Sequence, residues 1–274
     1  YDEMELGRLY DAQRRLFSIG FDAEKGRLSA SWYDLLSSEA RLTAYLAVAR
    51  GDVPRRCWRA LSRAQVACCG YRGTASWTGT MVEYLMPELF LPLERGSLLF
   101  ESAKFCLFVQ KRRTAGRLRL WGISESAYAA LDPALNYRYQ AHGCPALALR
   151  RGMGDELVIS PYSSFLALCV EPEAAMKNLR ALQRAGLLGP YGFWEAVDFT
   201  PGRRNGPEGA PVRCVMAHHL GMSMTAVANR LCGDRMVQRF LAEPCMTACI
   251  PLQRSEDICA AAWDFARDRP VRSW

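Results

Sequence analysis

The run Leu120-Trp121-Gly122-Ile123-Ser124-Glu125-Ser126-Ala127-Tyr128 sets one carboxylate between two serines, with an indole and a phenol close by. An aromatic ring can lie against the C–H face of a sugar, hydroxyls can hold its rim, and a carboxyl can move a proton or attack an anomeric carbon. Glycoside chemistry needs two such carboxyls, roughly 5 Å apart for retention and wider for inversion, so Glu125 requires a partner elsewhere. The other acidic groups beside rings are Glu39, Glu83, Glu195 and Asp198.

Glu39 falls on the same predicted helix face as Leu35, Leu42 and Leu46, where an unpaired carboxylate is costly. It faces either a polar cavity or a guanidinium such as that of Arg41. Glu83 lies between Gly79 and Pro87, both of which interrupt regular helix, and reads either as a cleft residue or as a solvated helix end. Glu195 and Asp198 belong to a second aromatic and acidic loop, Tyr191 to Pro201. His218 and His219 are adjacent, so they point to different faces of a helix, and they lack zincin spacing. Hydrogen bonding at the rim of a sugar site suits them better than a metal. Met81, Met86, Met222 and Met224 read as core. Neither a Gly-x-Gly-x-x-Gly nor a Gly-x-Ser-x-Gly element is present, which removes support for nucleotide binding and for acyl hydrolysis.

The elements that must position these groups read as helices. The 274 residues are 50% hydrophobic, ample for a packed core. Helices are predicted over 1–20, over 32–50 with Ser31 and Asp34 as cap and Gly51 as stop, and over 54–68. Others follow around Glu83, over 97–112, from Ser160-Pro161, from Pro172 to Gly186 or Gly189, and over 212–231. Two or three short helices finish the chain, with a frayed tail after Arg267. Strand-period alternation is not evident, so the expected class is all-α. Polar and aromatic signatures concentrate in alternate connections, which paired helices in an α/α toroid would gather at one end.

Charge and cysteine usage bound the partners. The formal charge is +7, but Arg14, Arg41, Arg63, Arg117, Arg184 and Arg239 are dispersed rather than blocked, which argues against nucleic acid. Eleven cysteines, an odd number, lie partly in apolar helical runs without paired Cys-x-x-Cys spacing. They read as reduced thiols, not as disulfides or a zinc site. The absence of a membrane-length apolar span and of a secretory core points to a soluble piece, and a start at Tyr1 to a processed chain or excised domain.

Taken together, the motifs resemble the glucoamylase-like domain in the middle of bacterial cyclic β-1,2-glucan synthases, related to endo-β-1,2-glucanases. They run in order from Arg15 to Gly20, Tyr33 to Arg41, Gly51 to Pro54, Ser76 to Pro87 and Trp121 to Tyr128. Pro161-Tyr162, Tyr191 to Pro201 and Ala217 to Ser223 continue the series. The resemblance implies a single domain over 1–274 with an (α/α)6-type toroid, incomplete here because the family has further helices before it. It also implies a β-1,2-glucan substrate, neither metal nor organic cofactor, and retaining transglycosylation that closes a linear glucan into a ring. Hydrolysis of the same polymer and a catalytically silent glucan-binding module are the alternatives. Membrane contact would come only through other parts of a parent synthase, and the location would be cytoplasmic. Glu39 and Glu125 become the expected reacting pair, with Glu83 as substitute. Trp77, Trp121, Tyr128, Tyr137, Tyr162, Tyr191 and Trp194 become sugar platforms, and Glu195, Asp198, Arg204, His218 and His219 hydroxyl binders. Which carboxyl is acid and which nucleophile stays open, as does the oligomeric state.

Overall fold

The helices end where local chemistry says they should. In the computed structural model, which describes residues 3–204 and 206–254, helix α1 spans Ala40–Arg50 and stops at Gly51, in the left-handed region at φ 80°. Helix α2 is Arg56–Ala60 and α3 is Met81–Leu85. Helix α4, Leu98–Thr114, is capped by Ser97, whose Oγ accepts the Phe100 amide at 3.1 Å. Prolines open α5 (Pro161–Leu166) and α6 (Pro172–Arg184), where their missing N–H has no helical partner to lose. Helix α7 (Ala217–Leu231) leads into α8 (Arg235–Leu241), α9 (Pro244–Ala248) and α10 (Ile250–Arg254).

Between these helices the chain is not helical, and the all-α expectation is overturned. Six small antiparallel sheets are present among the described residues, so the class is mixed α/β and the expected (α/α)6-type toroid is not what the fold displays. The described part of 1–20 holds a 3-10 turn at Leu6–Leu9 and a hairpin pairing Tyr10–Asp11 with Leu16–Ser18. Asp11 Oδ1 accepts the amides of Gln13 and Arg14 at 2.9 and 3.0 Å, and that local competition turns the chain out of a helix. In 32–50, Trp32–Tyr33 is a strand and residues up to Ser38 are held by cross-chain bonds, such as the Leu36 amide to the Ser62 carbonyl at 3.0 Å. The segment 54–68 breaks after α2 into a hairpin, Gln65–Cys68 with Tyr71–Thr74. Its two turn residues, Cys69 and Gly70, have φ of 51° and 80°, the twist that suits a two-residue hairpin. The tail after Arg267 lies outside the described residues.

Two buried clusters dominate the interior. The larger joins α3, α4, α5 and α6 through Leu85, Phe105, Leu107, Ile123, Leu166 and Leu182. The second joins α1, α2 and α9 through Leu36, Tyr45, Trp58, Leu91 and Met246. Tyr45 Oη donates to the Met246 carbonyl at 2.7 Å, tying α1 to α9. A buried ion pair, Arg41 to Glu88 at 2.6 Å, joins α1 to the 3-10 turn Pro87–Leu89. Arg41 therefore answers Glu88 and not Glu39. The described cysteines are free thiols, and no described helix is long and apolar enough to cross a membrane.

Candidate active site

Glu125 sits at the end of an extended segment whose every turn is tied. Gln110 donates from Nε2 to the Ile123 carbonyl at 2.8 Å and accepts the Ile123 amide at 2.7 Å. Ser124 Oγ accepts the Val82 amide at 3.1 Å and lies 2.8 Å from Tyr162 Oη, which donates to the Glu125 carbonyl at 2.9 Å. Gly122 has φ 116°, and a Cβ there would stand 2.3 Å from Ser163 Oγ, so only glycine lets α5 come this close. The strand Ser126–Leu131 then carries the chain away to pair with Tyr137–Gln140.

Glu39 occupies the residue before α1, not the middle of a helix. Ser38 Oγ accepts the Ala40 amide at 3.2 Å, which sets the helix start and turns the Glu39 side chain off the helix end. The carboxyl is half-buried, and its Oε2 has no hydrogen-bond partner among the described residues. Burial raises its pKa, and the charges of Glu83 and Glu125 add to the rise. An unsatisfied, partly desolvated carboxyl holds its proton to higher pH than an ordinary glutamate.

Glu39 and Glu125 line one cavity of about 430 Å³, together with Met86, Phe90, Tyr139, Tyr162, His218, His219 and Met222. Tyr33 shares a hollow with Glu39; burial raises its pKa, followed by the charges of Glu39 and then Glu125. Glu39 and Met86 are shared with a second hollow of about 300 Å³ lined by Phe17, Ile19 and Tyr33. Tyr162 and His219 are shared with a third, apolar one of about 380 Å³ lined by Phe165, Phe193 and Trp194. The three hollows meet at shared walls, with the carboxyls in the middle one.

His219 is the hinge of the far wall. Its ring is stacked on Tyr162 at 3.7 Å and 7°, and its Nδ1 is 2.9 Å from Glu195 Oε2. Glu195 is buried, and its Oε1 accepts the Ala127 amide at 3.1 Å. Tyr139 Oη lies 3.2 Å from His218 Nε2 and 3.4 Å from His219 Nε2. Burial raises the Tyr139 pKa, and the charge of Glu125, which lines the same cavity, adds to the rise.

The remaining residues singled out in the sequence are placed as follows. Glu83 is buried, with Oε2 accepting from Ser76 Oγ, the Thr80 amide and Thr80 Oγ1 at 2.8, 2.9 and 2.9 Å, and Oε1 accepting the Thr78 amide at 3.0 Å. Those four donors complete a capping box and pin the loop before α3. Asp198 accepts from the Ala129 and Thr200 amides and from Arg203 Nε at 3.1, 2.8 and 2.7 Å. Arg203 also pairs with Glu156 and lies 4.6 Å above the Tyr128 ring, whereas its neighbour Arg204 points to solvent. Trp121 is buried in the larger cluster, and Tyr137 Oη accepts the Arg213 amide at 3.4 Å. Trp77 and Tyr191 are exposed, outside the three hollows. Tyr139 and Tyr33 were not singled out by the sequence, and Met86, read there as core, lines two of the hollows. Tyr139 was findable: it stands two residues from Tyr137 on one strand, hence on the same face. Among the described residues no group of three or more His, Cys, Asp or Glu converges to hold a metal ion.

This arrangement is that of a glycoside-hydrolase-like domain, and the chain belongs to the family described as "Putative glucoamylase", whose pattern matches residues 31–243. It is 44% identical over 252 residues to the cyclic β-(1,2)-glucan synthase NdvB of Rhizobium meliloti (strain 1021). That match covers 89% of this chain and 9% of the synthase, so the chain spans less than a tenth of that relative. Among solved structures, a Bacteroides caccae protein described in the family's own words superposes with a TM-score of 0.67 at 16% identity, over 92% of this chain and 62% of its own. The endo-β-1,2-glucanase of Chitinophaga pinensis follows at 0.65 and 14%, over 91% of this chain and 61% of its own. At such identities the structural likeness speaks for fold alone.

Proposed function

We infer that this chain processes β-1,2-glucan by retaining two-carboxyl chemistry, with Glu125 as nucleophile and Glu39 as acid/base. The observation that carries the reading is the shared cavity, in which Glu39 Oε2 is unpartnered and burial raises the Glu39 pKa, while Glu125 lines the same space with Tyr139. The names of the synthase and of the glucanase support the choice of polymer. Tyr162, His218 and Trp194 supply rings and polar edges along the groove. Glu83, saturated by four donors, holds the loop that carries Met86 and α3 rather than reacting.

In the first step a Glu125 oxygen bonds to the anomeric carbon as the glycosidic C–O bond breaks, and Glu39 gives its proton to the departing sugar oxygen. In the second, Glu39 takes the proton of an incoming hydroxyl, whose oxygen displaces Glu125. When that hydroxyl is the 2-OH at the far end of the same glucan the product is a ring, which is the outcome we favour; when it is water the product is a shorter chain.

Incubation with linear β-1,2-glucan and mass analysis tests this. Rings are one water lighter than linear products of equal length, so cyclisation, hydrolysis and silence are separable. Glu39→Gln and Glu125→Gln are each expected to lose about 10²–10⁴-fold in turnover while remaining folded. With azide, Glu39→Ala should yield the β-azide and Glu125→Ala the α-azide. Unchanged glucan with wild-type protein, or full turnover in either Gln variant, defeats the assignment.

A further inference from the structure

Tyr139 has one proton and three claimants for it. Its Oη lies 3.2 Å from His218 Nε2 and 3.4 Å from His219 Nε2, in a cavity it shares with the Glu125 carboxyl. The Glu195 carboxylate 2.9 Å from His219 Nδ1 calls for a proton on that nitrogen, because a carboxylate only accepts. Glu195 cannot swing away, since its other oxygen takes the Ala127 amide and its residue is buried. The stacked Tyr162 ring fixes the imidazole plane, leaving Nε2 aimed at the phenol. In neutral His219 that nitrogen is bare and accepts. His218, exposed at the cavity edge, has its pKa lowered by partial desolvation and by the neighbouring His219.

We propose that Tyr139 is a positioning residue for Glu125, its hydroxyl switching between the Glu125 carboxylate and His219 Nε2 as the reaction proceeds. The proposal rests on the reading of Glu125 as nucleophile. A hydrogen bond to an ionised oxygen is stronger than one to a neutral acceptor, so the phenol proton stays on Glu125 while that group is a carboxylate. Once an oxygen of Glu125 is bonded to the anomeric carbon the ester keeps only a weak carbonyl acceptor, and the proton turns to His219. When the acceptor displaces Glu125, the carboxylate charge returns and Tyr139 recaptures it. The hydroxyl therefore assists departure of Glu125 in the second step, and Glu195 through His219 supplies the resting place between steps. No proton is gained or lost by the trio over the cycle.

Two measurements on the whole chain test this. The first needs no substrate: the ¹³Cζ resonance of the Tyr139 ring, assigned by its loss in Tyr139→Phe, is expected to move in Glu125→Gln. A resonance unmoved there overturns the proposal whatever the turnover. In the second, Tyr139→Phe acting on linear β-1,2-glucan should lose about tenfold to a hundredfold in kcat, with KM falling in step and a glycosyl adduct on the intact protein mass. The adduct should vanish in Tyr139→Phe combined with Glu125→Gln. A raised KM with kcat preserved would make Tyr139 a simple sugar contact and overturn the switch. An inactive wild type would sink the glucan reading alone, because the ring resonance still decides the Tyr139–Glu125 bond.

Discussion

The Tyr162 phenol and the His219 imidazole lie face to face, 3.7 Å apart and within 7° of parallel, while the Tyr162 hydroxyl holds the Glu125 carbonyl at 2.9 Å. One side chain thus sets both a wall of the cavity and the backbone beneath a carboxyl. Tyr162→Phe keeps the stack and loses the hydrogen bond. It should cost about 1 kcal/mol of stability and a larger share of turnover, on the order of tenfold, measured by urea unfolding beside product formation.

Glu39 and Glu83 should respond oppositely to the same chemical change. The folded-state pKa of Glu39 is raised, so its contribution to stability is present below the unfolded value and is lost as pH rises through the folded one. Glu39→Gln removes that loss. Its melting temperature should exceed that of wild type by a margin that grows as pH rises above about 4, the ordinary glutamate value. Glu83→Gln instead turns an amide N–H₂ toward hydrogen-bond donors and should lose about 2 kcal/mol. Equal effects in the two variants would contradict the distinct environments.

The ion pair between Arg41 and Glu88 is buried at both ends, with 1% of each side chain exposed. Glu88→Ala strands a guanidinium in the core and should destabilise by about 3–5 kcal/mol. Replacing both partners with apolar residues should recover much of that loss. A denaturant series over the two single variants and the double one reads the coupling directly.

His142 is fully buried, and desolvation depresses its pKa to about 4, against the pull of Glu156 and Asp198. Its stabilising contribution is complete above the unfolded value near 6.5 and is lost as pH falls toward the folded one. His142→Phe should flatten the fall in unfolding free energy over that window by roughly 3 kcal/mol. Its ring would keep the edge contact with Tyr128, whose centroid is 5.4 Å away.

Much of the helix punctuation was legible: Ser97, Gly51, Pro161 and Pro172 act through bonds a few residues long, which a linear reading can see. The strands were not, because runs such as Trp32–Tyr33 and Val158–Ile159 are two residues long and show no period at all. Reading the chain as helical then hid a consequence. Tyr137 and Tyr139 share a strand face and reach Arg213 and His218, so the phenol nearer the carboxyls was passed over for its neighbour. Arg203 and Arg204 pose the same difficulty, since only the packing of Tyr128 and Asp198 decides which of two adjacent guanidinium groups turns inward. The pairing of Glu39 with Glu125, which line one cavity, came from the family resemblance and not from the local pattern, which left Glu39 between a cavity and an arginine; the start of α1 at Ala40 was not legible either.

Glu39 is mounted on the cluster around Tyr45 and Trp58, and Glu125 on the one around Phe105 and Leu166, with Leu93 packed against both. The gap between the two carboxyls, which the proposed chemistry would use as acid and nucleophile, is therefore a seam between two separately packed bodies of side chains. A change at Leu93 that lets them slide by a fraction of an ångström would part the two carboxyls long before it melted the protein, so the spacing of the cavity depends on residues that do not line it.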